Sequence, residues 1–65
     1  MQYDIKERCV ILGDYIAQTG QTVRACAVKF GVSKSTVHKD VSERLIHINN
    51  ALAIEVRKVL DENKA

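Results

Sequence analysis

The sequence predicts an all-α fold: a small four-helix domain that contains a helix-turn-helix. Three observations predict it. Apolar residues recur at helical spacing in four separate stretches. Glycine or a capping side chain stands at nearly every junction between them. There is no proline, so nothing breaks the helices from within. At 65 residues the chain makes one domain, taken as 1–65. A domain of this size buries only about 60% of the surface that its unfolded chain exposes, which leaves little room for an enclosed active site beside a core.

The first helix is expected over 5–19. Asp4 and Glu7 have the spacing of an N-terminal capping box, and Ile5, Cys9, Leu12 and Ile16 form one stripe that Ile11 and Tyr15 widen. Gly13 lies inside this helix at a cost of roughly 1 kcal/mol against alanine, either as a close-approach point for another helix or as a weakness. Gly20 is a natural stop, being at ease in the left-handed C-cap geometry.

The second helix is expected over 23–30, with Thr22 as N-cap and Val23, Cys26, Ala27 and Phe30 facing inward. Ala27 sits where two helices would cross closely. Gly31 supplies the turn, Val32 plugs it into the core, and Ser33 caps the third helix, expected over 34–44. There Val37, Val41 and Leu45 point inward, while Lys34, Ser35, His38, Lys39 and Ser42 form an opposite face with no large apolar residue. Asp40 and Arg44 make an i,i+4 pair with the acid first, the better orientation. Ile46-His47-Ile48 reads as a connector. Asn49 or Asn50 caps a fourth helix over 50–63, with Leu52, Val56, Val59 and Leu60 buried and charges of both signs outside, which reads as scaffold.

Net charge is only +2, but its distribution is uneven. Residues 22–44 carry five basic residues (Arg24, Lys29, Lys34, Lys39, Arg44) against Asp40 and Glu43. The segments on either side are slightly acidic and neutral. The positive excess therefore sits on the expected helix-turn-helix, whose geometry suits the major groove of DNA. Residues at the start of the third helix and one turn later reach base edges in such a geometry: Ser33, Lys34, Ser35, His38 and Lys39 are the candidates. Thr22, Arg24, Thr36 and Ser42 are the candidates for backbone contact. A solvated lysine face is the plain alternative. The glycine turn, the small Ala27 and the cap favour the DNA reading, because a bare surface helix needs none of them.

No enzyme constellation is present. Ser33 and Ser35 have no histidine–carboxylate arrangement around them, His38 and Asp40 do not face each other on a helix, and the glycines form no phosphate loop. Cys9 and Cys26 fall on apolar faces as buried free thiols and form no metal cluster with His38 or His47, so neither metal nor cofactor is expected. No apolar run approaches the ~20 residues of a membrane span, and the polar, acidic N-terminus does not suit a secretion signal, so a cytoplasmic location is expected.

The string from Phe30 to Leu45, with Gly31-Val32-Ser33-Lys34-Ser35-Thr36-Val37-His38-Lys39-Asp40 at its centre, closely resembles the helix-turn-helix of the stage III sporulation protein D family, transcriptional regulators of endospore-forming bacteria. Tyr3 to Arg8 is similar to the family's opening. Ile48-Asn49 through Val56, with Leu60-Asp61, resembles its last scaffold helix, so the likeness covers nearly the whole chain. The resemblance implies a mother-cell regulator that activates some sporulation genes and represses others, with double-stranded DNA as partner, RNA polymerase as a further one, no membrane, and a monomer as the binding unit. It places Lys34, Ser35, Thr36, His38 and Lys39 on the groove-facing helix. Ile46 stands where the family tends to have proline. The family also continues into a basic C-terminal segment that adds DNA contacts, whereas this sequence stops at Ala65, so weaker binding than the family norm is expected. Three missing phosphate contacts would lower the salt slope by about three units. Two other readings stay open: a helical protein–protein interaction module, and the DNA-binding part of a larger recombinase or transposase.

Overall fold

The structure, a computed structural model, describes residues 3–62 and contains four helices and no strand among them. Helix α1 spans Ile5–Thr19 and α2 spans Val23–Phe30. Helix α3 covers 34–48 in three contiguous pieces: α-helical Lys34–Lys39, a π-helical turn over Asp40–Arg44, and α-helical Leu45–Ile48. Helix α4 spans Asn50–Glu62. The end expected at residue 63 lies outside the described residues.

Each start is made by a side-chain oxygen that accepts an otherwise orphaned backbone N–H. Asp4 accepts from Glu7 at 2.7 Å, Thr22 from Ala25 at 3.0 Å, Ser33 from Thr36 at 3.1 Å and Asn49 from Leu52 at 3.1 Å. The stops of α1 and α2 are Gly20 and Gly31, at φ +70° and +67°. The Gly20 N–H bonds Ile16 O, and the N–H groups of Gly31 and Val32 both return to Ala27 O. A left-handed residue here lets the chain turn sharply, so only Gly31, Val32 and Ser33 separate α2 from α3.

The core is a single cluster drawn from all four helices: Cys9, Leu12 and Ile16 of α1; Cys26 and Ala27 of α2; Val37, Val41 and Leu45 of α3; Ala53 and Val56 of α4. Helix α1 packs against both α3 and α4, while α2 packs chiefly on the first part of α3. Tyr15 and Phe30 meet edge to face, ring centroids 5.4 Å apart, and close the α1–α2 side. Gly13 is buried where α1 crosses α3 and α4. A Cβ there would come within 2.5 Å of Leu45 Cδ2 and 3.4 Å of both Leu52 and Val56, so this glycine marks a close helix approach.

Two expectations need correction. Helix α3 does not end at Arg44: Ile46-His47-Ile48 is helical, not a connector, and the break comes at Asn49, whose backbone is extended at φ −150°, ψ 90°. No glycine or proline lies between Arg44 and Asn49, and the Ile46 position lacks the proline that would interrupt a helix. Ile5 does not join the buried stripe: it is 54% exposed and lies outside the core cluster that takes in Cys9, Leu12 and Ile16. The expected Asp40–Arg44 pair forms at 2.6 Å, and its carboxylate is completely buried.

The π turn explains how α3 keeps its core face. In an unbroken α-helix each four-residue step drifts by roughly 40°, so Val37 and Leu45 would diverge by roughly 80°. The wider turn, in which the Leu45 N–H reaches back five residues to Asp40 O, removes rotation between them. Val37, Val41 and Leu45 are consequently all buried.

Candidate nucleic-acid interface

The expected reading strip is exposed. Lys34, Ser35, His38, Lys39 and Ser42 all face solvent along α3, as do Thr22 and Arg24 at the start of α2. Ser33 is exposed too, but its hydroxyl is occupied: it accepts from the Thr36 N–H and donates to Thr36 Oγ1 at 2.8 Å. Thr36 itself is half-buried. These two hydroxyls therefore hold the start of α3, and the unencumbered polar groups of its first turns belong to Lys34, Ser35, His38 and Lys39.

Five of the nine candidates converge on one concavity. Thr22, Arg24, Lys34, His38 and Ser42 line a groove of about 770 Å³ that runs between the start of α2, the outer side of α3, and α4. Ser35 and Lys39 lie outside it, farther round α3. The opposite wall is built by Asn50, Arg57 and Asp61 of α4, and Val41, Ile46, Ile54 and Leu60 contribute apolar surface. Arg24, Lys34 and Arg57 give the groove a net positive character against Asp61. Asn50 and Arg57 were missed because α4 read as scaffold. The signal that could have found them is the seven-residue spacing between them, which puts both on one side of that helix.

Behind the strip lies a charged cluster. The Arg8 guanidinium from α1 grips Asp40 with Nε on Oδ2 at 2.6 Å and Nη2 on Oδ1 at 3.2 Å. Arg44 adds Nη1 on Oδ1 at 2.6 Å. Burial alone would raise the Asp40 pKa, but the hydrogen bonds and charges of the two arginines outweigh it and hold the carboxyl below its ordinary value. The same hydrogen bond to Asp40 raises the Arg8 pKa against the opposing effect of burial. Among the described residues every buried side-chain nitrogen and oxygen has a partner.

Cys9 and Cys26 are buried and unpaired. Burial pushes the Cys9 thiol up, helped by the Asp40 charge, and pushes Cys26 up to about 11, so neither is a thiolate at neutral pH. No three potential metal ligands gather among the described residues. Nor is any described helix long and apolar enough to cross a membrane.

Comparison with known proteins gives one result across the whole chain: the family described as Stage III sporulation protein D matches residues 1–65. The chain belongs to the stage III sporulation protein D family. A relative in this family, Stage III sporulation protein D of Bacillus subtilis (strain 168), is 57% identical over 61 residues, which is 94% of this chain and 66% of the relative. The chain thus spans just under two thirds of that relative's length. No solved structure matches it. Membership agrees with the resemblance carried by the segment from Phe30 to Leu45, the segment that forms the α2–α3 turn and the exposed strip.

Proposed function

We propose that the domain is a sequence-specific DNA-binding regulator of sporulation genes, with α2 and the first part of α3 acting as a helix-turn-helix. The observation that carries the reading is the exposed polar strip of Lys34, Ser35, His38 and Lys39. It lies on a helix that a three-residue turn holds against its neighbour. Side chains in that position reach base edges when the helix enters the major groove, and lysine donates to guanine O6 and N7. Thr22 and Arg24, at the start of α2, face the flanking phosphates, where the free N–H groups of a helix N-terminus favour an anion. Ser42 and Arg57 extend the backbone contact along the groove, while Ser33 and Thr36 fix the start of the reading helix. The family membership supports a role in sporulation. The domain works as a cytoplasmic monomer on double-stranded DNA, without an enzymatic step, and RNA polymerase is the natural second partner where it activates.

Selection of bound sequences from a random duplex pool tests this. A recovered preferred site, lost when Lys34→Ala and Lys39→Ala are combined, is the expected result. Enrichment of no sequence, or unchanged preference in the double variant, overturns it. Ile46 and Ile54, both about half exposed at 47% and 48%, favour a second reading in which the groove takes a protein helix. That reading expects a stable protein complex indifferent to Lys34 and Lys39.

A further inference from the structure

We infer that Asp40, gripped by Arg8 and Arg44, is the positioning residue of the reading helix, fixing the rotation at which α3 presents His38 and Lys39. The inference rests on the DNA reading above and assigns no contact with DNA to Asp40 itself, which is wholly buried.

Three features of the structure point this way. First, the cluster is poorly suited to be a simple stabiliser. Replacing a buried ion pair by apolar side chains of similar volume is often neutral or favourable, so the carboxylate contributes something an apolar contact would not. What it contributes is direction. A two-pronged guanidinium–carboxylate bond has one good geometry, whereas valine or leucine packing tolerates rotation. Second, the grip crosses the fold: Arg8 belongs to α1 and Asp40 to α3, 32 positions apart. It ties the reading helix to the body of the domain at the residue directly after Lys39.

Third, Asp40 is the first residue of the π turn, and its carbonyl accepts the five-residue bond from Leu45. A π turn holds one residue more than an α turn, and where it lies along a helix sets the rotation of the residues beside it relative to the rest of that helix. Were the extra residue to slip one turn toward the N-terminus, the side chains passed over would turn by roughly 100° while Val41 and Leu45 stayed in the core. Val37 resists such a slip only by packing. Asp40 resists it by an oriented bond, and Arg44 closes the far end of the same turn on the same carboxylate at 2.6 Å. His38 and Lys39 lie in the stretch directly before the turn that such a slip passes over, so their direction depends on where it is pinned.

The test measures affinity for the selected site and for random duplex at one salt concentration. One variant is Arg8→Met with Asp40→Leu, which removes the grip and fills its volume. The other is Arg8→Lys, which keeps the charge but loses the fork. The paired variant is expected to melt near the parent and to hold random duplex within about twofold, while its preference for the site falls about tenfold, the scale of one lost base contact. Arg8→Lys is expected to lose part of that preference, and it decides the matter should the paired variant fail to fold. Undiminished preference in a folded variant overturns the inference and leaves the DNA reading standing. A parent chain that selects no site overturns the DNA reading and this inference together.

Discussion

At the scale of the residue, Asp40 and Gly13 show the same limit on local reasoning. Asp40 pairs with Arg44 by a spacing visible in the sequence, but its stronger partner is Arg8, which no periodicity connects to it. Its folded pKa lies below the ordinary carboxylate value of ~3.9, so between those two values the native state binds fewer protons than the unfolded one. The cluster's contribution is therefore complete above the ordinary value and is lost as pH falls through the folded one. Asp40→Asn should cost about 2 kcal/mol at pH 7, a figure reduced from the usual range because Arg8 and Arg44 keep some solvent contact. In urea titrations from pH 7 down to 2, the gap between parent and variant should close below about pH 4. A gap independent of pH would remove the carboxylate from the account. At Gly13 the helix preference for alanine, about 1 kcal/mol, opposes the insertion of a Cβ 2.5 Å from Leu45, which is fully buried and cannot swing into solvent. Overpacking of ~1–3 kcal/mol should win, so Gly13→Ala is expected to lower the denaturation midpoint rather than raise it as it would at an exposed helical glycine.

At the scale of the element, the boundaries set by local chemistry were legible and the one set by tertiary packing was not. Asp4, Thr22, Ser33, Gly20 and Gly31 act on backbone groups within a few residues of themselves, so their identity announced the ends of α1 and α2 and the start of α3. The far end of α3 has no such marker. The helix runs through Ile46 and His47 because a π turn lets Leu45 return to the core, and that turn is stabilised in part from α1. The strip of candidate contacts was legible for the same local reason: residues 34–42 lacked a large apolar side chain on one face. The groove was not, since its second wall comes from α4 and depends on how α4 crosses α3. Gly31 offers the clearest element-level test. Its φ is +67° and a Cβ there would meet nothing within 4 Å, so Gly31→Ala isolates the backbone strain of a left-handed turn. The expected loss is about 1–2 kcal/mol in thermal or urea unfolding. A loss several times larger would mean that the turn also carries packing that the structure does not show.

At the scale of the whole molecule, the polar groups offered to DNA divide between two surfaces that should behave differently. Lys34 and His38 sit where the groove meets the proposed reading strip, and in the DNA reading their loss should relax sequence preference. Arg57 stands on the far wall, on a helix that presents no base-reading strip, so its role in the DNA reading is to neutralise a phosphate. Each phosphate neutralised contributes about 0.9 to the slope of log affinity against log salt. Arg57→Ala should therefore lower that slope by about one unit and weaken selected and random duplexes by the same factor. Lys34→Ala should instead narrow the gap between the two. Titrations at several salt concentrations on both duplexes separate these outcomes. An unchanged slope would confine the DNA interface to α2 and α3 and return α4 to the part of scaffold. An equal loss of slope accompanied by a change in sequence preference would instead bring α4 close enough to the bases for Asn50, on the same groove wall, to take part in reading them.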